Sequence, residues 1–372
     1  MTLPPSRLLV RLNAEIAAES NPFRADLRRA ERAAYLARQG HAKEAREDLA
    51  LLHRRHDARP TVEMSAWISL AEGLLGYFGD PSQHALDKMR RACALSTAAG
   101  LSQLQALSSA WLAQLDYLRL DLPAMSKNLV CALKLADKDN HSAHARAALV
   151  MAQGFHTAER LDLALPWYER SRVHAVDHGD DATVSALMHN MAWIRTTNMR
   201  NAALTGSGDG GEGEHALAAA ESTWAYDKLT GATSLDSSVP LLHAQILLLQ
   251  GKFKYALALY EQHIPGSVDQ GLGRLQGLLL ADQAWCRLQM AQHEEAKVDA
   301  ERALHLLQDQ GNCDDRAPGY ARLAQVFHML GDGVSANQCE AAAVELWKEH
   351  SAMCLKLAST LEAIASDAAA LH

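Results

Sequence analysis

Alanine recurs along this chain at a nearly constant interval. Ala45, Ala85, Ala124, Ala164, Ala216, Ala256, Ala296 and Ala336 stand 40, 39, 40, 52, 40, 40 and 40 residues apart. The one long step contains the low-complexity run Thr205–Glu214, and setting aside about 12 residues there restores the interval. Counting back across that run where needed, a second small residue lies 12 positions before each marker: Ala33, Gly73, Ala152, Ala192, Ala244, Ala284 and Ala324, with Leu112 the exception. A period of this length marks stacked supersecondary units, none of which can bury its apolar face alone. Two helices cross closely only where neither presents a large side chain, so the paired small residues mark a helix–helix contact in every unit.

Composition agrees with helices. The 372 residues include 67 Ala and 57 Leu against 19 Val plus Ile, which favours residues that keep rotamer freedom in a helix over the β-branched types that fill strands. An all-β or doubly wound parallel fold is therefore not expected. Within a unit the pattern reads as helix, turn, helix: Val239–Gln250, then Gly251, then Lys252–His263 before Pro265. Gly40, Gly79-Asp80-Pro81 and Gly331 mark further turns. Asp121 and Asp162 stand where they would cap second helices, and Pro81, Pro123 and Pro166 where they would fall in first turns. The expected organisation is a single solenoid over residues 1–372. It has an N-terminal cap helix in 1–21 (about Leu3–Ala18), a repeat array in 22–333 with a flexible Gly-rich insertion at 205–214, and an extended capping helix in 334–372.

Bulk chemistry removes several function classes. The formal charge of −8 argues against a nucleic-acid binder, whose affinity would rest on Lys and Arg. Residues 1–60 carry +4 and the remainder −12, a bias read as a solvated helix face. The longest apolar run, Leu241–Leu249, is broken by His243 and Gln245, far short of the roughly 20 residues of a spanning helix, so no membrane partner is expected. No secretory leader is legible in Met1–Ser20, and six dispersed cysteines without a CxxC pair read as reduced thiols, hence a cytoplasmic protein.

Catalytic signatures are missing: the sequence has no GxxxxGK[ST], strand-bounded GxGxxG, GxSxG or HExxH. The Gly206–Gly213 stretch lacks the Lys-Ser/Thr of a phosphate loop and reads as a linker. His141 with His144, and His174 with His178, could each share a helical face, yet no third ligand stands at helical reach; they read as solvated surface pairs with no metal. No cofactor is expected. An enzyme built from His156, His189 and Asp282 has no spacing in its favour.

Gly251-x-Phe253-x-x-Ala256-Leu257-x-x-Tyr260 resembles the tetratricopeptide repeat, and Leu163-Ala164-x-x-x-Tyr168 and Ala296-x-x-x-Ala300-x-x-Ala303 echo its second helix. The resemblance covers roughly residues 22 to 350, with a period near 40 in place of 34. Units of this length are similar to the ligand-responsive repeat domains of MalT-like and Rap/PlcR-like bacterial regulators. The resemblance implies an all-α, right-handed superhelical solenoid of about eight antiparallel helix pairs, whose first helices line the concave side. That row would hold Trp67, Tyr117, Arg146, Gln153, His156, His189, Asn190, Trp193, Gln245, Asp282, Trp285, Arg322, Gln325 and His328. Trp193 and Trp285 occupy the same place in their units, as do Gln153, Gln245 and Gln325. Large amphipathic residues at repeated places suit an extended ligand, although the tryptophans could equally fill a tight interior. Trp111, Trp167, Trp224, Trp347, Phe253 and Tyr260 read as packing.

The expected function is a non-enzymatic adaptor or scaffold, a monomer or weak dimer, holding a protein or peptide partner in its groove. The alternative is a sensor that changes shape on binding a small signal.

Overall fold

The computed structural model describes residues 6–79, 83–206, 213–234, 236, 238–266 and 272–369. Among these residues there are seventeen α-helices and no strand. The chain forms two compact units, the first comprising residues 1–188, 225–235 and 357–372, the second 189–224 and 236–356.

In the first unit a leading helix α1 (Arg7–Ala18) precedes four pairs: α2 (Pro22–Gln39) with α3 (Ala42–His56), α4 (Val62–Gly79) with α5 (Gln83–Ala98), α6 (Ser102–Leu118) with α7 (Leu122–Leu135), and α8 (His141–Thr157) with α9 (Leu161–His178). Each first helix packs on its own partner; α2 also packs on α4, and α6 on α8. The later helices are α10 (Asp181–Thr205), α11 (Gly213–Thr230), α12 (Ser238–Leu249), α13 (Phe253–His263), α14 (Gln276–Gln289), α15 (His293–Asp309), α16 (Cys313–Met329) and α17 (Gly333–Ala369). In the second unit α12 packs on α13, α14 on α15, and α14 on α16.

The repeated small residues are what allow these contacts. Ala33, Ala45, Ala152, Ala164, Ala244, Ala256, Ala284 and Ala296 are wholly buried. At Gly73 even a methyl group would come 2.6 Å from Met89 Cγ on the partner helix. Ala124 and Ala324 are half-buried, and the Ala216 side chain lies outside the described residues.

The turn between the helices of a pair is also built to one plan. Five residues before the marker alanine the backbone turns left-handed: Gly40, Gly251 and Gly331 take φ of 87°, 72° and 79°. The amide that follows then donates to the carbonyl five residues back, at 2.8 Å from Lys252 to Leu247 and 3.0 Å from Asp332 to Phe327, closing the helix end. Glu159 and Ala291 hold the same place with φ of 59° and 60°, and Leu120, four residues before its marker, has φ 56°. The same helix-ending hydrogen bonds, Arg160 to Phe155 and Gln292 to Arg287, hold these residues in a conformation that side chains resist.

Several expectations are adjusted in detail. Asn21 caps α2, its side chain accepting from the amides of Phe23 and Arg24, and Asp121 caps α7 through the Ala124 amide. Asp162, by contrast, lies inside the first turn of α9, where Arg160 holds its side chain. Pro166 sits beyond that first turn, within the helix, on an exposed face. The expected turn residues Asp80 and Pro81 lie outside the described residues, as does most of the Gly-rich insertion; Thr205 ends α10 and Gly213 begins α11. The last helix, α17, runs from Gly333 to Ala369, and its distal part belongs to the first unit. There Leu357, Leu361 and Ile364 are buried, Leu361 resting on Gly154 of α8 and Glu362 pairing with Arg160 at 2.8 Å.

Candidate functional site

The predicted row lies on α4, α6 and α8 in the first unit and on α10, α12, α14 and α16 in the second. Trp67 is half-buried against the first unit's core, and the Tyr117 hydroxyl meets Thr157 Oγ1 at 2.7 Å. His156 and Gln153 are buried; His156 Nδ1 lies 3.1 Å from the Tyr168 hydroxyl, while Gln153 Oε1 has no hydrogen-bond partner.

Arg146 is the exception in its chemistry. It is 5% exposed, its guanidinium lies 3.8 Å from the centre of the Trp111 ring, and its Nε has no hydrogen-bond partner. Burial, then the neighbouring charge of Arg38, pushes its pKa down to about 9, so it still carries its proton at neutral pH. Arg38 is differently placed: its Nη2 donates to both oxygens of Asp180 at 2.7 and 2.6 Å and to Thr183 Oγ1 at 2.6 Å. Those donors hold the buried Asp180 below the usual carboxylate range against the opposing effect of burial.

In the second unit the charges converge on Asp282, 1% exposed. Arg322 Nε donates to its Oδ1 at 3.2 Å and Arg322 Nη1 to Gln325 Oε1 at 2.8 Å, while the guanidinium stands 5.0 Å from the centre of the Trp285 ring. Arg200 Nη1 faces Asp282 Oδ2 at 4.0 Å, an ion pair without a hydrogen bond. Around them, Arg200 Nε and Nη1, Asn201 Oδ1, Gln245 Oε1, the Tyr260 hydroxyl and Asp282 Oδ2 are buried with no hydrogen-bond partner. Burial, then the charge of Asp282, raises the Tyr260 hydroxyl well above its ordinary pKa. His189 Nε2 meets Ser238 Oγ at 3.3 Å, its Nδ1 has no hydrogen-bond partner, and burial lowers its pKa to about 4. Trp193 packs against Ala192, Leu242 and Ile246, Asn190 is half-buried, and His328 is exposed.

Three residues were not in the predicted row. Arg200 and Asn201 lie farther along α10 than the repeat spacing reaches, and Tyr260, read as packing, is fully buried with its hydroxyl unanswered. Trp111 is also more than packing, since it carries Arg146. The two histidine pairs meet across α8 and α9: His141 and His174 bring their Nδ1 atoms to 3.1 Å, and His144 stacks on His174 at 4.7 Å. They are half-buried together, not solvated separately. No group of three His, Cys, Asp or Glu among the described residues is arranged to hold a metal ion.

A helical-repeat frame with buried charge on its first helices invites comparison with known proteins. No protein-family model matches the sequence, and no curated protein matches it. Among solved structures, the chain is similar to a Rap protein complexed with competence and sporulation factor, with a TM-score of 0.55 at 12% identity, over 93% of this chain and 98% of that one. The fold is tetratricopeptide-like. At such identity the likeness establishes the repeat architecture that the alanine period predicts. No helix among the described residues is long and apolar enough to cross a membrane.

Proposed function

We propose that this chain is a non-enzymatic regulatory repeat protein that binds a peptide, or a segment of a protein, along the first helices of its units. The observation that carries the reading is the buried polar atoms without hydrogen-bond partners on those helices: Arg146 Nε and Gln153 Oε1 in the first unit, and Arg200 Nε, Gln245 Oε1 and Asp282 Oδ2 in the second. A buried polar group left unpaired costs about 1–3 kcal/mol, so a row of them is a poor core and a good receptor for backbone amides and charged termini. Trp285 and Trp193 supply the apolar faces that anchor side chains between such polar contacts. The Rap protein to which the fold is similar was solved in complex with competence and sporulation factor, which supports a binding role here.

Selection of a displayed random-peptide library on the immobilised full-length chain tests the reading. Enriched peptides should lose at least about tenfold in affinity on Trp285→Ala, a loss of ~1.4 kcal/mol, with the helical circular dichroism unchanged. No enrichment, or enrichment that ignores Trp285, Trp193 and Gln245 alike, would refute it.

A further inference from the structure

In the first unit one buried guanidinium has no carboxylate paired with it. Two guanidiniums, Arg38 and Arg146, are buried there at 8% and 5% exposure. The buried Asp180 cannot serve both. Its two oxygens already take Arg38, the Thr183 amide at 3.0 Å and the Thr183 hydroxyl at 2.9 Å. Asp181 is likewise engaged, by Arg7 at 2.8 Å and by the Tyr226 hydroxyl at 3.0 Å. Arg146 is left with an aromatic face beneath it and no hydrogen-bond partner for its buried Nε, on a planar fork of donors whose geometry matches a carboxylate or phosphate in bidentate fashion. The Trp111 ring offers the cation attraction but fills none of those in-plane donors. A buried charge kept without a partner is retained at the expense of stability.

Resting on the peptide-binding reading above, we propose that Arg146 receives an oxyanion of the bound ligand, a carboxylate or a phosphate, seated in the plane of its guanidinium while Trp111 holds that plane from below.

Thermal unfolding of the full-length chain in sodium chloride, acetate or phosphate at equal ionic strength tests this, with Arg146→Met and Arg146→Lys alongside the parent. In chloride, Arg146→Met should unfold at a higher temperature than the parent, because it fills the same space without a buried charge. Acetate, phosphate or both should raise the parent's midpoint in a saturable way. They should act on Arg146→Lys only at higher concentration, and leave Arg146→Met where chloride leaves it. A response to acetate alone identifies a carboxylate, such as a peptide terminus or acidic side chain; a response to phosphate alone identifies a phosphate ester. The proposal fails if the parent responds to neither anion, if Arg146→Met responds as the parent does, or if Arg146→Met unfolds below the parent in chloride. Should Arg146→Met not fold, loss of the response in Arg146→Lys supports the proposal and an unchanged response overturns it. Peptides that bind Arg146→Met undiminished would leave the groove reading intact and refute the anion seat alone.

Discussion

The two units set a guanidinium on a tryptophan face in the same way and neutralise it differently. In the second unit Arg322 lies against Trp285, and one helical turn before that tryptophan stands Asp282, which takes its charge. In the first, Arg146 lies against Trp111, and one turn before that tryptophan stands Ser108, whose hydroxyl is spent on the Leu104 carbonyl. The difference teaches that burial of an arginine is not by itself a structural device. With its carboxylate present the pair is a joint between α14 and α16; without one, the stack leaves the Arg146 Nε unanswered.

The largest effect expected from this contrast is in the second unit. Asp282→Ala leaves Arg322 and Arg200 buried without their shared carboxylate and should lower stability by about 3–5 kcal/mol in urea unfolding. A loss no greater than that of an exposed aspartate would erase the distinction between the units. Next in size, Ala284→Leu forces a large side chain into a wholly buried helix contact and should destabilise by about 1–3 kcal/mol. If that variant were neutral, the small-residue period would not be what holds the pairs together.

Acid should distinguish the units more finely. His174 and His178 of the first unit and His189 of the second are each pushed down to about 4, burial being the largest cause in all three; for His174 the charges of His144 and His141 follow. Unfolding restores an ordinary pKa near ~6.5, so between those values the unfolded chain binds protons that the folded chain refuses. Stability is therefore complete above the unfolded value and falls as pH drops toward 4. For the half-exposed first-unit pair, solvent screening reduces the loss to about 1–2 kcal/mol. The doubly substituted His174→Gln, His178→Gln chain should show a shallower fall in unfolding midpoint between neutral pH and pH ~4.5 than the parent. Equal slopes would show that the histidine cluster binds as many protons folded as unfolded and plays no part.

The smallest expected effect is at a turn. Ala291→Gly relieves a left-handed alanine at φ 60° and should stabilise by about 0.5–1 kcal/mol, visible as a small rise in midpoint.

The period was readable because a close helix crossing tolerates only Ala or Gly, a constraint that operates at single positions and needs no tertiary information. Much of the polar row was readable for a related reason: Gln153, Gln245 and Gln325 repeat with the units. What escaped depends on distance across helices. Arg200 and Asn201 lie on a helix of 25 residues, the longest apart from α17, so the repeat spacing stops short of them. Tyr260 packs as its pattern says, and only the coordinates show that its hydroxyl faces Asp282's field unanswered. The four histidines form two legible helical pairs, and their meeting is decided by how α8 lies on α9. The Arg146–Trp111 stack joins a residue from the predicted row to one assigned to packing, a partnership no one-dimensional spacing encodes.

The shared left-handed turn leaves the fold with unused headroom. Where three units already spend glycine at that corner, Leu120, Glu159 and Ala291 sit in its strained form, so three exchanges to glycine would add up to a sturdier scaffold. Such a background would tolerate disruptive changes among the buried charges, and so let Arg146, Arg200 and Asp282 be exchanged one by one without unfolding the helix pairs that carry them.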